Sequence, residues 1–144
     1  MPEAEVARLL DSWHKAAAEA NFEDYFSKMT EDAVFIGTDA TENWKVEEFK
    51  TFAKPYFDNG KAWDFTAVER HVYFTDGNKV AWFDELLDTQ MKLCRGSGVL
   101  KYVDGKWKIA HYVLSIAVPN ENIDELIKIK KGFDDKLILE LKNY

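Results

Sequence analysis

Two carboxylates, an arginine and a histidine lie inside segments that otherwise read as apolar strands. Asp84 and Glu85 fall within Val80 to Leu87, Arg95 opens Arg95 to Leu100, and His111 follows Trp107 to Ala110. Charges in such a setting cost free energy unless they are paired, solvated by a cavity, or used in chemistry. A carboxylate in an apolar hollow has a raised pKa and can act as a general base or acid. An imidazole can move protons near neutral pH, and a guanidinium can hold a ligand carboxylate with two hydrogen bonds. Asp84 and His111 are therefore the candidate catalytic pair, and Arg95 a candidate ligand anchor.

Neighbouring residues of a strand point to opposite faces, so only one of Asp84 and Glu85 can enter a cavity. Asp84 shares its face with Val80, Trp82 and Leu86, and Glu85 shares with Phe83 and Leu87. The reading adopted is Asp84 inward. The competing reading is a structural ion pair between Asp84 and Arg95 across two strands. For His111 the competing reading is a satisfied core histidine. Other chemistries find no support: His14, His71 and His111 lack metal-ligand spacing, and one cysteine, Cys94, makes no Cys-x-x-Cys. Ser97 stands in Arg-Gly-Ser-Gly, without the spacing of a nucleophile elbow. No phosphate loop or dinucleotide fingerprint is present, so no metal and no cofactor is expected.

The elements that must position these residues come in two blocks. Val6, Leu9, Leu10, Trp13, Ala16, Ala17 and Ala20 recur at helical spacing over Glu3 to Ala20. A short helix follows over Phe22 to Lys28, then a short strand, Ala33 to Ile36, ended by Gly37. Asp39 and Asn43 offer N-caps for a helix carrying Val46, Phe49, Phe52, Ala53, Tyr56 and Phe57. Asp39 and Glu42 could also lie at a pocket mouth. From Ala62 the period changes to that of strands: one to the Asp76-Gly77-Asn78 turn, then Val80 to Thr89, Arg95 to Val103 and Lys106 to Val118. Asp104-Gly105 is the strongest hairpin signal. A two-residue turn there sets Tyr102 opposite Trp107, Leu100 opposite Ile109 and Gly98 opposite His111. Gly96 and Gly98 mark a bend or the close approach of a ligand. Asn122 with Glu125 reads as a capping box before a last helix, about 122–142, with Leu126, Ile129, Phe133, Leu137 and Leu141 on one face. The fold class expected is α+β, one domain over 1–144, with helices on one face of a curved antiparallel sheet.

The chain of 144 residues is long enough to bury roughly 68–70% of its unfolded surface. Aromatics make up 15% of the residues, enough to fill a core or to line an apolar ligand cavity. A net charge of −7 disfavours nucleic acid and anionic lipid as partners. A lone cysteine and the absence of an apolar leader point to a cytoplasmic protein.

Several runs together carry a resemblance. The strand Val80-Ala81-Trp82-Phe83-Asp84-Glu85, the strand Arg95-Gly96-Ser97-Gly98-Val99-Leu100 and the start Gly105-Lys106-Trp107-Lys108-Ile109-Ala110 are its main part. Phe35-Ile36-Gly37-Thr38-Asp39 and Val118-Pro119-Asn120 add to it. In this order they resemble the SnoaL-like branch of the nuclear transport factor 2 superfamily, over roughly the whole chain. The resemblance implies a cone-shaped α+β barrel, a pocket between helices and concave sheet, and a homodimer formed through the sheets. It implies little about chemistry, because relatives include an isomerase, cyclases, a dehydratase, kinase association domains and a transport factor. Val113 stands where many relatives carry a polar residue, which argues against a two-histidine dyad. The expectation is a small, mainly apolar ligand bound by Trp44, Trp82, Arg95, Phe35 and Val113. The alternatives are an isomerase-, cyclase- or hydrolase-type enzyme using Asp84 or His111 as base, and a protein-association module.

Overall fold

The computed structural model describes residues 1–143 of the chain. Helix α1 spans Pro2–Ala18 and α2 spans Phe22–Ser27. Pro2 opens α1, where its missing N–H costs nothing, and Glu3 and Glu5 lie at the positive end of the helix. Strand β1 (Met29–Ile36) leads to a short β2 (Asn43–Lys45) and helix α3 (Val46–Asp58). Four long strands follow: β3 (Thr66–Phe74), β4 (Val80–Thr89), β5 (Lys92–Val103) and β6 (Lys106–Ile116). A 3-10 turn at Asn120–Asn122 precedes the last helix, α4 (Ile123–Lys142).

The strands form one open six-stranded sheet in the order β2-β1-β6-β5-β4-β3. An antiparallel sheet was the expectation, but β1 pairs parallel to β6, so the sheet is mixed. Asn43 does not cap α3: Asn43–Lys45 pairs with β1, and Glu48 instead accepts a hydrogen bond from the Lys45 N–H at 2.9 Å. Asp39 accepts from the Thr41 N–H at 3.0 Å, closing its own loop. Asn122 precedes α4 without a side-chain cap.

The Asp104-Gly105 hairpin forms as its sequence dictates. Both residues have positive φ, 51° and 79°, the geometry a two-residue turn needs between right-twisted strands. Tyr102 opposes Trp107 and Leu100 opposes Ile109, but then a bulge sets Val99 opposite His111 and Gly98 opposite Tyr112. Gly98 makes the bulge possible: a Cβ there would stand 2.0 Å from the His111 carbonyl oxygen. The bulge exchanges the faces of every β6 residue beyond it.

Helices α1 to α3 cover the inner face of the sheet. Val6, Leu10 and Trp13 of α1 and Phe49, Ala53 and Phe57 of α3 meet Ala81, Phe83, Leu87, Leu100, Ile109 and Tyr112 in one core. Helix α4 takes no part in it, and none of its residues is buried.

Candidate functional site

Burial alternates strictly along β4. Ala81, Phe83, Glu85, Leu87 and Thr89 are buried, whereas Trp82 and Asp88 are exposed and Val80, Asp84 and Leu86 only half-buried. Glu85 is therefore the inward carboxylate, 1% exposed. The expected inward orientation of Asp84 is corrected: Asp84 lies on the outer face, where its Oδ1 stands 2.9 Å from His71 Nδ1. That contact holds the His71 imidazole above its usual pKa. The ion pair between Asp84 and Arg95 does not form either, since Asp84 lies opposite Ser97 and Arg95 opposite Leu86.

The bulge carries His111 and Val113 to that outer face as well, where Arg95 is exposed opposite Ser115. Trp82 is 45% exposed and stacks on Tyr73 at 5.8 Å, again outside. Five of the seven residues expected around a cavity thus share the outer face of the sheet, with the sheet itself between them and any hollow under the helices. The assignment failed because the two faces of β4 are almost equally apolar, so hydrophobicity could not choose the phase.

The inner face holds a polar cluster made by residues far apart in sequence. Glu85 Oε2 accepts hydrogen bonds from His14 Nε2 at 2.8 Å and the Tyr112 hydroxyl at 2.7 Å. Its Oε1 accepts from Arg70 Nε at 2.8 Å, and Arg70 Nη2 lies 2.7 Å away. Arg70, directly opposite Glu85 on β3, also donates to Asp11 Oδ1 at 2.8 Å and the Ala7 carbonyl at 3.3 Å. Ala7, Asp11 and His14 lie four and three residues apart on one stripe of α1, so the cluster fastens that stripe to β3 and β4. Burial pushes the Glu85 carboxyl up, but His14, Arg70 and Tyr112 outweigh it and hold the group below the usual carboxylate range. Burial, then the neighbouring carboxylate, raises the Tyr112 phenol well above its ordinary value. Burial opposes the Arg70 charge, and Glu85 and Asp11 more than restore it.

Gly96 belongs to this cluster. A Cβ there would fall 2.0 Å from the Tyr112 hydroxyl and 3.0 Å from Glu85 Oε2. The space the glycine leaves is filled by the chain's own hydrogen bond. With every Glu85 oxygen occupied and its side chain sealed from solvent, the cluster is built to fasten α1 to the sheet. Sequence reasoning missed Arg70, His14 and Tyr112; the one available signal was the spacing of Ala7, Asp11 and His14 on α1.

A hollow of about 360 Å³ opens between α3, β1, β2 and the turn joining β4 to β5. Phe35 and Trp44 line it, together with Phe49, Phe52, Trp63 and Met91. The Phe35 and Phe49 rings stack at 4.0 Å, Trp44 lies 5.7 Å from Phe49 at 12°, and Phe52 stacks on Trp44 at 4.3 Å. The polar groups at its rim include Thr38, Glu42, Gln90 and Tyr56. A second hollow, of about 660 Å³, lies beside α1, α2 and the β5–β6 turn, but Arg8, Lys28, Lys106, Lys108, Glu5 and Asp24 give it charges of both signs. Among the described residues no group of His, Cys, Asp or Glu side chains is placed to hold a metal, and no helix is long and apolar enough to cross a membrane.

Among curated proteins no significant match is found. Among solved structures, an NTF2-like protein of unknown function from Pseudomonas putida superposes with a TM-score of 0.68 at 15% identity, covering 83% of this chain and 89% of that one. The association domain of CaMKII from C. elegans gives a TM-score of 0.65 at 18% identity, with 78% and 94% covered. A candidate scytalone dehydratase from Novosphingobium aromaticivorans gives 0.69 at 10% identity, with 81% and 84% covered. At these identities the likeness is one of fold alone. The SnoaL-like domain family matches residues 6–119, from the first buried turn of α1 to the proline that ends the sheet region. The chain belongs to the SnoaL-like domain family, on the NTF2-like fold.

Proposed function

We propose that the protein binds a small, mainly apolar, planar ligand in the aromatic hollow between α3 and the sheet. The observation that carries this reading is the near-parallel set of Phe35, Phe49, Trp44 and Phe52 beside open space of about 360 Å³. Parallel ring faces favour a flat guest by offset stacking, and the volume is that of an ordinary small-molecule site. Glu42, Thr38 and Gln90 at the rim suit a guest with one polar, hydrogen-donating end. Phe35 and Trp44 remain its walls; Trp82, Arg95 and Val113 are given up as walls, because they stand on the other side of the sheet.

General-base chemistry has less support. The rim carboxylate Glu42 already accepts the Asp39 N–H at 3.1 Å, and no histidine lines the hollow. Glu85 is buried and fully engaged, and Asp84 and His111 lie outside. A second reading rests on the outer face, where Tyr73 and Trp82 are 46% and 45% exposed. A stacked aromatic pair left in water on a sheet face suits contact with a second copy of the domain.

Tryptophan fluorescence tests the first reading. Titration with a panel of planar aromatic acids, amines and phenols is expected to quench or shift Trp44 and Trp63, and Trp44→Ala to weaken binding about tenfold with Trp63 as the remaining reporter. No response across the panel, together with no co-purifying small molecule by native mass spectrometry, would overturn it.

A further inference from the structure

Helix α4 lies beyond the family match and stands off the core with an apolar stripe in water. Ile123, Ile127 and Leu141 are 36%, 52% and 57% exposed. A lone surface helix draws its stability from packing such a stripe against something. The sequence of the stripe says against what. Ile123, Ile127, Lys130, Asp134, Leu137 and Leu141 follow one another at steps of four, three, four, three and four, the seam of a two-stranded coil. Its middle is a charged pair, Lys130 with Asp134, which contact each other along the helix.

Two copies of this seam fit together in one direction only. In an antiparallel pair centred on Gly132, residues equally far from that glycine on either side meet. Lys130 then faces Asp134 of the second copy, Ile127 faces Leu137, and Ile123 faces Leu141. Every layer is apolar on apolar or cation on anion. In a parallel pair Lys130 would face Lys130 and Asp134 would face Asp134, two like-charge layers that are repulsive at close range.

We propose that α4 is a self-association helix, which pairs antiparallel with α4 of a second copy about a twofold axis at Gly132. It joins subunits through a segment separate from both the ligand hollow and the outer sheet face, so it stands whether or not the proposed function does.

Two experiments on the full-length chain test it. The first mixes an Ile127→Cys chain with a Leu137→Cys chain under mild oxidation; Cys94 is buried and does not compete. The mixture is expected to give a disulfide-linked dimer and neither chain alone to do so. In the antiparallel pair, residue 127 of one copy is about ten residues, ~15 Å, along the coil from residue 127 of the other. Dimers within either single variant, or none in the mixture, would overturn the proposal. The second uses sedimentation of Lys130→Asp and Asp134→Lys, each of which lacks the pairing within the helix. Each alone is expected to associate through α4 at least tenfold more weakly than the native chain, and their equimolar mixture to recover that loss. Should the mixture behave as the average of its parts, the charges do not meet between copies and the idea is wrong.

Discussion

Asp84 and Glu85 are neighbours in one strand, yet they live in different media. Asp84 meets a half-exposed histidine on the outer face, whereas Glu85 meets a histidine, an arginine and a tyrosine with no solvent in reach. In water an ion pair gains little, because each charge gives up hydration and side-chain freedom to form it. In the interior the pair is costly to assemble and far more costly to break, since the partner left behind stays buried and uncompensated. The contrast teaches that polar residues of this sheet are to be read by face and not by type. The outer face tolerates charge as ordinary surface, whereas the inner face uses it as a fastener.

Removing the fastener should produce the largest effect. Glu85→Ala strands Arg70, His14 and the Tyr112 hydroxyl, and a loss of about 3–5 kcal/mol in urea unfolding is expected. A loss no larger than that of an outer-face variant would break the contrast. Gly96→Ala tests the same cluster without touching a charge. Its methyl displaces the Tyr112 hydroxyl, and overpacking of this kind costs about 1–3 kcal/mol.

Acid sharpens the comparison, because the two carboxyls differ in their partners. Glu85 has a folded-state pKa below its unfolded value, so its contribution to stability is present above the unfolded value, near pH 4.5. It is lost as pH falls through the folded pKa. His71 has the opposite sign: its raised pKa favours the folded state below the unfolded value of 6.5, and this is lost as pH rises through the folded pKa. Melting followed from neutrality into acid should therefore fall most steeply below about pH 4.5 and lose that step in Glu85→Gln. Trp44→Ala should leave this profile intact while weakening the ligand by about tenfold, or 1.4 kcal/mol, in fluorescence titration. Asp84→Asn closes the series, with the melting temperature at neutral pH expected to stay within experimental scatter.

The legible parts of the molecule were those set by local chemistry. The first helix follows from Val6, Leu10 and Trp13, and the β5–β6 hairpin from Asp104-Gly105, whose positive φ few other pairs adopt. The phase of β4 was illegible, since Val80, Trp82 and Leu86 balance Ala81, Phe83 and Leu87. The bulge before Gly98 was illegible for a different reason: one glycine permits a bulge without requiring it. That single inserted residue moved His111 and Val113 out and Tyr112 in, and with them the whole assignment of the site.

By itself, then, the chain's order of residues determined the class of fold, the strongest turn, the aromatic supply of the core and the presence of the last helix. Each depends on interactions between residues a few positions apart. Only the folded sheet decided which carboxylate is buried and which partners it keeps. His14, Arg70, Glu85 and Tyr112 are brought together from one helix and three strands, and their energies exist only once water has been removed between them.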